Sequence, residues 1–185
     1  MITQLIGLGN SQATLRVYIE NRPPLPHYEN LNTLISLPVG EIKAIATQTG
    51  NHWLKIFNVY AKLLFALFTE KSNDESYENC TTWQQLRDEK LLQSHDHNCL
   101  LFSPPEFDVE QENSSNNAND TIHLVMGRTY GKKLGLSESC FWLSTDFAIN
   151  KTKRLIICPY FDYRQLSNIK IQQLVTLINS LSTSH

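Results

Sequence analysis

The sequence predicts one α/β domain over residues 1–185, with a short, mainly parallel sheet of about four to five strands and helices on both faces. Three observations carry that expectation. Short apolar runs bounded by Gly or Pro alternate with longer stretches of helical period. The chain has no internal repeat, and its 185 residues suffice for one sizeable core. Seven glycines and seven prolines are too few for a fibrous or disordered protein.

The elements follow in chain order. "TLRVYIE", Thr14 to Glu20, alternates Leu15, Val17 and Ile19 with Arg16, Tyr18 and Glu20, the period of a strand. It ends at "NRPPLPHYENL", where Pro23, Pro24 and Pro26 forbid regular pairing. "EIKAIATQT" predicts a helix that stops before Gly50. A second helix starts after Asn51, a good N-cap residue, and runs to about Phe68. It contains the most apolar stretch, Trp53 to Phe68, which falls short of the roughly 20 residues needed to span a membrane. Lys55, Asn58 and Lys62 recur at i, i+3 and i+7, so the expectation is a core helix with one wet edge and no membrane association.

Thr82 is placed to cap a helix over "WQQLRDEKLLQ". Cys99 to Ser103 reads as a strand stopped by Pro104 and Pro105. Residues 106–120, "EFDVEQENSSNNAND", have the composition of a mobile acidic loop. "TIHLVMG" gives the next strand and enters "GRTYGKK", a glycine corner with a basic helical turn. "CFWLST" and "RLIICPYF" read as two further strands. A final helix lies within "YRQLSNIKIQQLVTLINSL", with Leu166, Ile169, Leu174, Leu177 and Ile178 on one face.

Charge is uneven although the net value is only −2. Residues 70–120 carry three Lys/Arg against twelve Asp/Glu, and residues 121–185 carry eight against three. A pI near 6.3 excludes a bulk nucleic-acid coat protein but leaves room for a local basic face in the C-terminal third. Cys80, Cys99, Cys140 and Cys158 are widely spaced, and "MITQLIGLGN" lacks the basic n-region of a secretory signal. Free thiols and a cytoplasmic location are therefore expected.

In parallel α/β sheets, ligands lie beyond the carboxyl ends of the strands. Here those ends carry "ENRPP", "SPPEF", "GRTYG" and "CPYFDYR". Backbone N–H groups behind Gly127, with Arg128, Lys132 and Lys133, make the third an anion-site candidate. It is not a phosphate loop, because Gly127 and Gly131 are four apart and no Ser or Thr follows the lysines. "SHDHNC" sets His95, His97 and Cys99 at alternate positions, yet the close paired spacings of zinc sites are missing, so neither metal nor cofactor is expected. There is no GxSxG elbow; Cys158 is the one suggestive thiol, and Glu20 with Asp162 offers a carboxylate pair at strand ends.

Taken in order, these strand-end segments resemble the uracil-DNA glycosylase superfamily. "YIENRPP" stands where the family's first motif would be, "LVMGRTYGKKLG" is similar to its late strand-Gly-helix element, and "ICPYFDYR" is similar to its H-P-S segment. Pro159 keeps its place and Arg164 falls near the family's downstream arginine, whereas Cys158 replaces the catalytic histidine and Tyr160 the serine. The chain also looks like a member of a small, uncharacterised bacterial family.

The glycosylase resemblance implies a domain that binds a nucleobase or nucleic-acid backbone, DNA or a nucleotide, at the strand C-termini. Catalysis would be absent or altered, because neutral Cys158 is a poor donor to a developing oxyanion while Glu20 and Asn21 could still orient water. Arg22, Arg128, Lys132, Lys133 and Arg164 would contact phosphate, and Tyr160 or Phe161 would stack on a base. A competing reading is a non-enzymatic module that meets a protein partner through residues 106–120 or "RPPLP".

Overall fold

A computed structural model describes residues 4–70, 79–107 and 121–182. Among these residues, eight strands and six α-helices follow one another as β1 (Gly7–Gly9), β2 (Leu15–Tyr18), α1 (Pro26–Glu29), β3 (Leu34–Ile35), α2 (Glu41–Thr49), α3 (Asn51–Glu70), α4 (Trp83–Glu89), β4 (Asn98–Leu101), β5 (Ile122–Met126), α5 (Arg128–Lys133), β6 (Phe141–Trp142), β7 (Ala148–Asn150), β8 (Leu155–Cys158) and α6 (Asn168–Ser182). All eight strands join one sheet in the order β3-β1-β4-β2-β5-β8-β7-β6.

The expected parallel sheet forms its middle: β4, β2, β5 and β8 are mutually parallel. The expectation of a short, mainly parallel sheet is corrected at both edges. β1 runs antiparallel to β4 and carries β3 outside it, while β7 and β6 continue from β8 as an antiparallel meander. The sheet is therefore larger and mixed. β1 escapes a pattern-based reading because Gly7 and Gly9 are poor strand formers. They are needed here, since a Cβ on Gly9 would lie 2.4 Å from the Asn98 carbonyl oxygen of β4.

Period-two alternation sorts the central strands onto two cores. Val17, Leu100, Leu124, Met126 and Ile156 face a large core built with α3 and α6, to which α2 and α4 add a second helical tier. Tyr18, Cys99, Leu101, Val125 and Ile157 face a smaller core closed by α5 and the turn after it. Both faces of the middle strands are buried, which is why β4, β5 and β8 read as continuous apolar runs.

The polar stripe of α3 is partly exposed, as expected, but each of its side chains also has a partner. Asn58 Oδ1 accepts from Arg87 Nη1 at 2.6 Å, Lys62 lies 5.0 Å from the Trp83 ring centroid, and Lys55 pairs with Asp162 at 3.4 Å. The stripe is where α4 and the chain after β8 dock. Thr82 caps α4 as expected, its Oγ1 accepting from Gln85 N at 3.2 Å. Asn51 belongs to the first turn of α3 rather than preceding it. Among the described residues no helix is long and apolar enough to cross a membrane. Of the acidic segment 106–120, only Glu106 and Phe107 fall inside the described residues.

Candidate functional site at the strand C-termini

From β2 the chain crosses to β4 on one side of the sheet, then returns past β2 to pair β5 on the other. The order thus reverses between β2 and β5, and sheets of this kind bind ligands outside such a switch point. Glu20, Asn21 and Arg22 follow β2 there; Gly127 and Arg128 follow β5, and Pro159 and Tyr160 follow β8. Gly127 turns with φ 98°, a conformation that favours glycine, so that the chain leaves β5 and enters α5 at once.

Two cross-links close the switch point. Lys133 of α5 forms an ion pair with Glu20. Asn21 Nδ2 donates to Tyr160 Oη at 3.4 Å, and that hydroxyl also hydrogen-bonds His52 Nε2 at 3.1 Å. The His52 and Tyr160 rings stack with centroids 5.7 Å apart and planes 23° apart. Burial raises the Tyr160 phenol above its ordinary range, so it stays protonated as a donor.

Beside this closed region, beyond β5 and β8, lies an open cavity of about 300 Å³. Arg128 enters from α5, Thr145 and Asp146 from the β6–β7 connection, Tyr160, Arg164 and Gln165 from the chain after β8, and Lys170 from the start of α6. Lys170 is paired with Asp146 at 3.0 Å. Arg128 and Arg164 have no ion pair among the described residues; they lie over rings, 4.6 Å from the centroid of Trp142 and 5.7 Å from that of Tyr163. The Asp162 carboxyl sits below the usual carboxylate range, chiefly because the Arg164 backbone N–H donates to it, with Lys55 adding to the effect. The carboxylate pair weighed in the sequence is thereby divided, Asp162 serving Lys55 and Glu20 serving Lys133.

The remaining sequence-expected residues are dispersed. Arg22 Nη1 donates to the carbonyls of Glu29 at 2.9 Å and Leu31 at 2.8 Å and closes α1 from below. Lys132 is exposed on α5 and does not line the cavity. Phe161, one of the two expected stacking rings, is fully buried against Tyr60. Cys158 borders the cavity, but its thiol is buried, hydrogen-bonds the Pro159 carbonyl at 3.3 Å, and is pushed well above its ordinary pKa by desolvation. A thiol so held supplies neither a thiolate nor a strong donor. No group of three His, Cys, Asp or Glu among the described residues is arranged to hold a metal ion.

Sequence reasoning missed His52, Asp146 and Lys170. Each comes from an element distant in the chain, and none sits in a recognisable motif. The one available signal was the position of His52 and Lys170 in the first turns of α3 and α6.

Fold and site together define an α/β protein with a mixed eight-stranded sheet and a basic, aromatic-rimmed cavity at the C-terminal ends of its parallel strands. The chain belongs to a family described as "Family of unknown function (DUF6942)", whose model matches residues 6–179. No curated protein and no solved structure matches the chain.

Proposed function

We propose that the protein is a glycosylase-like α/β domain that binds a nucleobase or nucleic-acid backbone at the C-terminal ends of β2, β5 and β8, with base-excision chemistry absent or altered. The observation that carries this reading is the cavity walled by Arg128 and Arg164 beside the half-buried Tyr160 ring. Guanidinium forks suit phosphate oxygens, and an aromatic face suits a base. The weakened chemistry follows from the buried Cys158 thiol and from the commitment of Glu20 to Lys133.

The test is equilibrium binding of labelled single- and double-stranded DNA across a salt series, with R128A/R164A as the comparison. Binding that falls with salt and is lost in the variant supports the reading. Equal binding by the variant, or none even at low salt, removes it.

A second reading, a protein-interaction module, draws on the outermost strand. Phe141 is 71% exposed and Leu143 48% exposed at its end. Within the "RPPLP" run, Pro23 is buried, whereas Pro24 and Pro26 are exposed and Pro26 opens α1. Partner capture that is lost in F141S/L143S and kept in R128A/R164A would favour this second reading.

A further inference from the structure

Resting on that nucleic-acid reading, we infer that the cavity takes a single nucleotide-sized anion, a nucleoside monophosphate or its equivalent at a strand end, rather than a length of polynucleotide. The argument is a census of cations at the strand ends. A polynucleotide track needs a row of unpaired Lys and Arg, because each neutralised phosphate contributes to affinity through counterion release. Here the basic residues near the strand C-termini are mostly committed. Lys55 is held by Asp162, Lys133 by Glu20 and Lys170 by Asp146, and Arg22 is spent on backbone carbonyls; Lys132, exposed on α5, makes no ion pair among the described residues but does not line the cavity. Two cavity-lining cations, Arg128 and Arg164, make no ion pair among the described residues, Arg164 feeling the Asp162 carboxylate only at longer range, and they share one concave space.

That space, about 300 Å³, falls at the lower bound for small-molecule sites. Two guanidiniums match the charge of one phosphate monoester. Tyr160 lines the cavity with its hydroxyl held by Asn21 and His52 and one ring face stacked on His52, which leaves the opposite face for a ligand. The ring, not the hydroxyl, is then the group left for a planar base.

Calorimetric titration of the intact protein with each nucleoside 5′-monophosphate, with inorganic phosphate, and with hydroxyl-ended oligothymidylates of increasing length separates the possibilities. The nucleotides are expected to bind. R128A and R164A should each weaken that binding about 10-fold, as expected for lost charge-assisted hydrogen bonds. Y160A should weaken the nucleotides about 10-fold and leave inorganic phosphate unchanged. Oligothymidylates should gain nothing with length, and their affinity should fall no more than about 7-fold from 50 to 200 mM salt, the value for two neutralised phosphates on a single strand. Thermal melting of each variant checks that it folds. Affinity that climbs with oligomer length and falls far more steeply with salt overturns the inference while leaving the nucleic-acid reading standing. Inorganic phosphate binding as tightly as the nucleotides overturns the assignment of a base to Tyr160. No binding by any probe overturns both readings.

Discussion

The molecule contains two tyrosine–histidine pairs of nearly the same geometry in opposite surroundings. Tyr18 and His123 stack with centroids 5.7 Å apart and planes 16° apart, and their Oη···Nδ1 hydrogen bond is 2.7 Å. Tyr160 and His52 stack at the same centroid distance and 23°, with Oη···Nε2 at 3.1 Å. The first pair lies inside the smaller core, where β2 meets β5 and Phe107 covers the imidazole edge-on at 5.1 Å. The second stands at the strand ends with His52 exposed. The chemistry is alike, and burial decides what it does. Inside, the hydrogen bond joins two buried polar groups that water does not reach, with Arg16 as a further partner of the Tyr18 hydroxyl. Outside, water could satisfy both, so the bond positions a ring instead of holding up a fold.

The comparison is broken most directly at His123. H123A removes a buried ring and one of the two side-chain partners of the Tyr18 hydroxyl, Arg16 being the other, and should cost about 4 kcal/mol in urea unfolding at pH 7. H52A, at the outer pair, should change stability by less than about 0.5 kcal/mol. Equal losses would show that the outer pair is structural after all.

Acid sharpens the same contrast. Burial lowers the His123 pKa to about 4, and the Arg16 and Arg154 cations push in the same direction. Its ordinary value is about 6.5, so between the two pH values the unfolded chain binds a proton that the folded chain refuses. The His123 contribution is therefore whole above about pH 6.5 and drains away as pH falls towards 4, by at most about 3 kcal/mol. Asp96 works the other way: burial raises its carboxyl to about 6, so between roughly pH 6 and 4 it favours the folded state as pH falls. The clean measurement is the stability difference between wild type and H123A. It should shrink by about 3 kcal/mol from pH 7 to pH 4; a difference that stays flat would mean that His123 titrates in the folded protein as it does in the unfolded chain.

Legibility in the sequence followed the same division between local and distant. The alternation of Leu15, Val17 and Ile19, the Thr82 cap and the apolar run to Met126 are local signals, and each gave its element nearly in place. The edges of the sheet were only partly legible: "CFWLST" contains β6, but β1, β3 and β7 went unread, because β1 is two-thirds glycine and β3 and β7 have only two and three residues. Such strands exist through their neighbours rather than their own propensity. At the site, Arg128, Tyr160 and Arg164 were found because strand ends are readable. His52, Asp146 and Lys170 were not, since only the packing of α3 and α6 against the β8 end brings them there. Arg22, Lys133 and Phe161 carried the right chemistry at the right ends; what assigned them to a carbonyl cap, an ion pair and the core was three-dimensional environment.

Y160F makes a smaller and more selective change. It removes the hydroxyl that Asn21 and His52 share but keeps the ring, so melting should move by less than about 0.5 kcal/mol equivalent. Nucleotide affinity should fall only about 3-fold, through loss of ring orientation, against the roughly 10-fold loss in Y160A. Equal losses in the two variants would mean that the hydroxyl itself touches the ligand.

The smallest effect concerns the closed half of the strand-end region. The Glu20–Lys133 pair is solvent-exposed, with 41% and 68% of the two side chains accessible, so removing it should barely alter stability. It does set how many cations the surface offers to a polyanion. E20Q keeps the side-chain shape, drops the negative charge and releases Lys133 beside the switch point. On oligothymidylate the log–log salt slope should steepen by about 0.7, the contribution of one further neutralised phosphate. Nucleoside monophosphate affinity should stay the same, because Lys133 does not line the cavity. A steeper slope with unchanged nucleotide binding would show that intramolecular pairing of cations, rather than their scarcity, keeps this face from acting as a polynucleotide track. An unchanged slope would place Lys133 out of reach of any bound strand and confine recognition to Arg128 and Arg164.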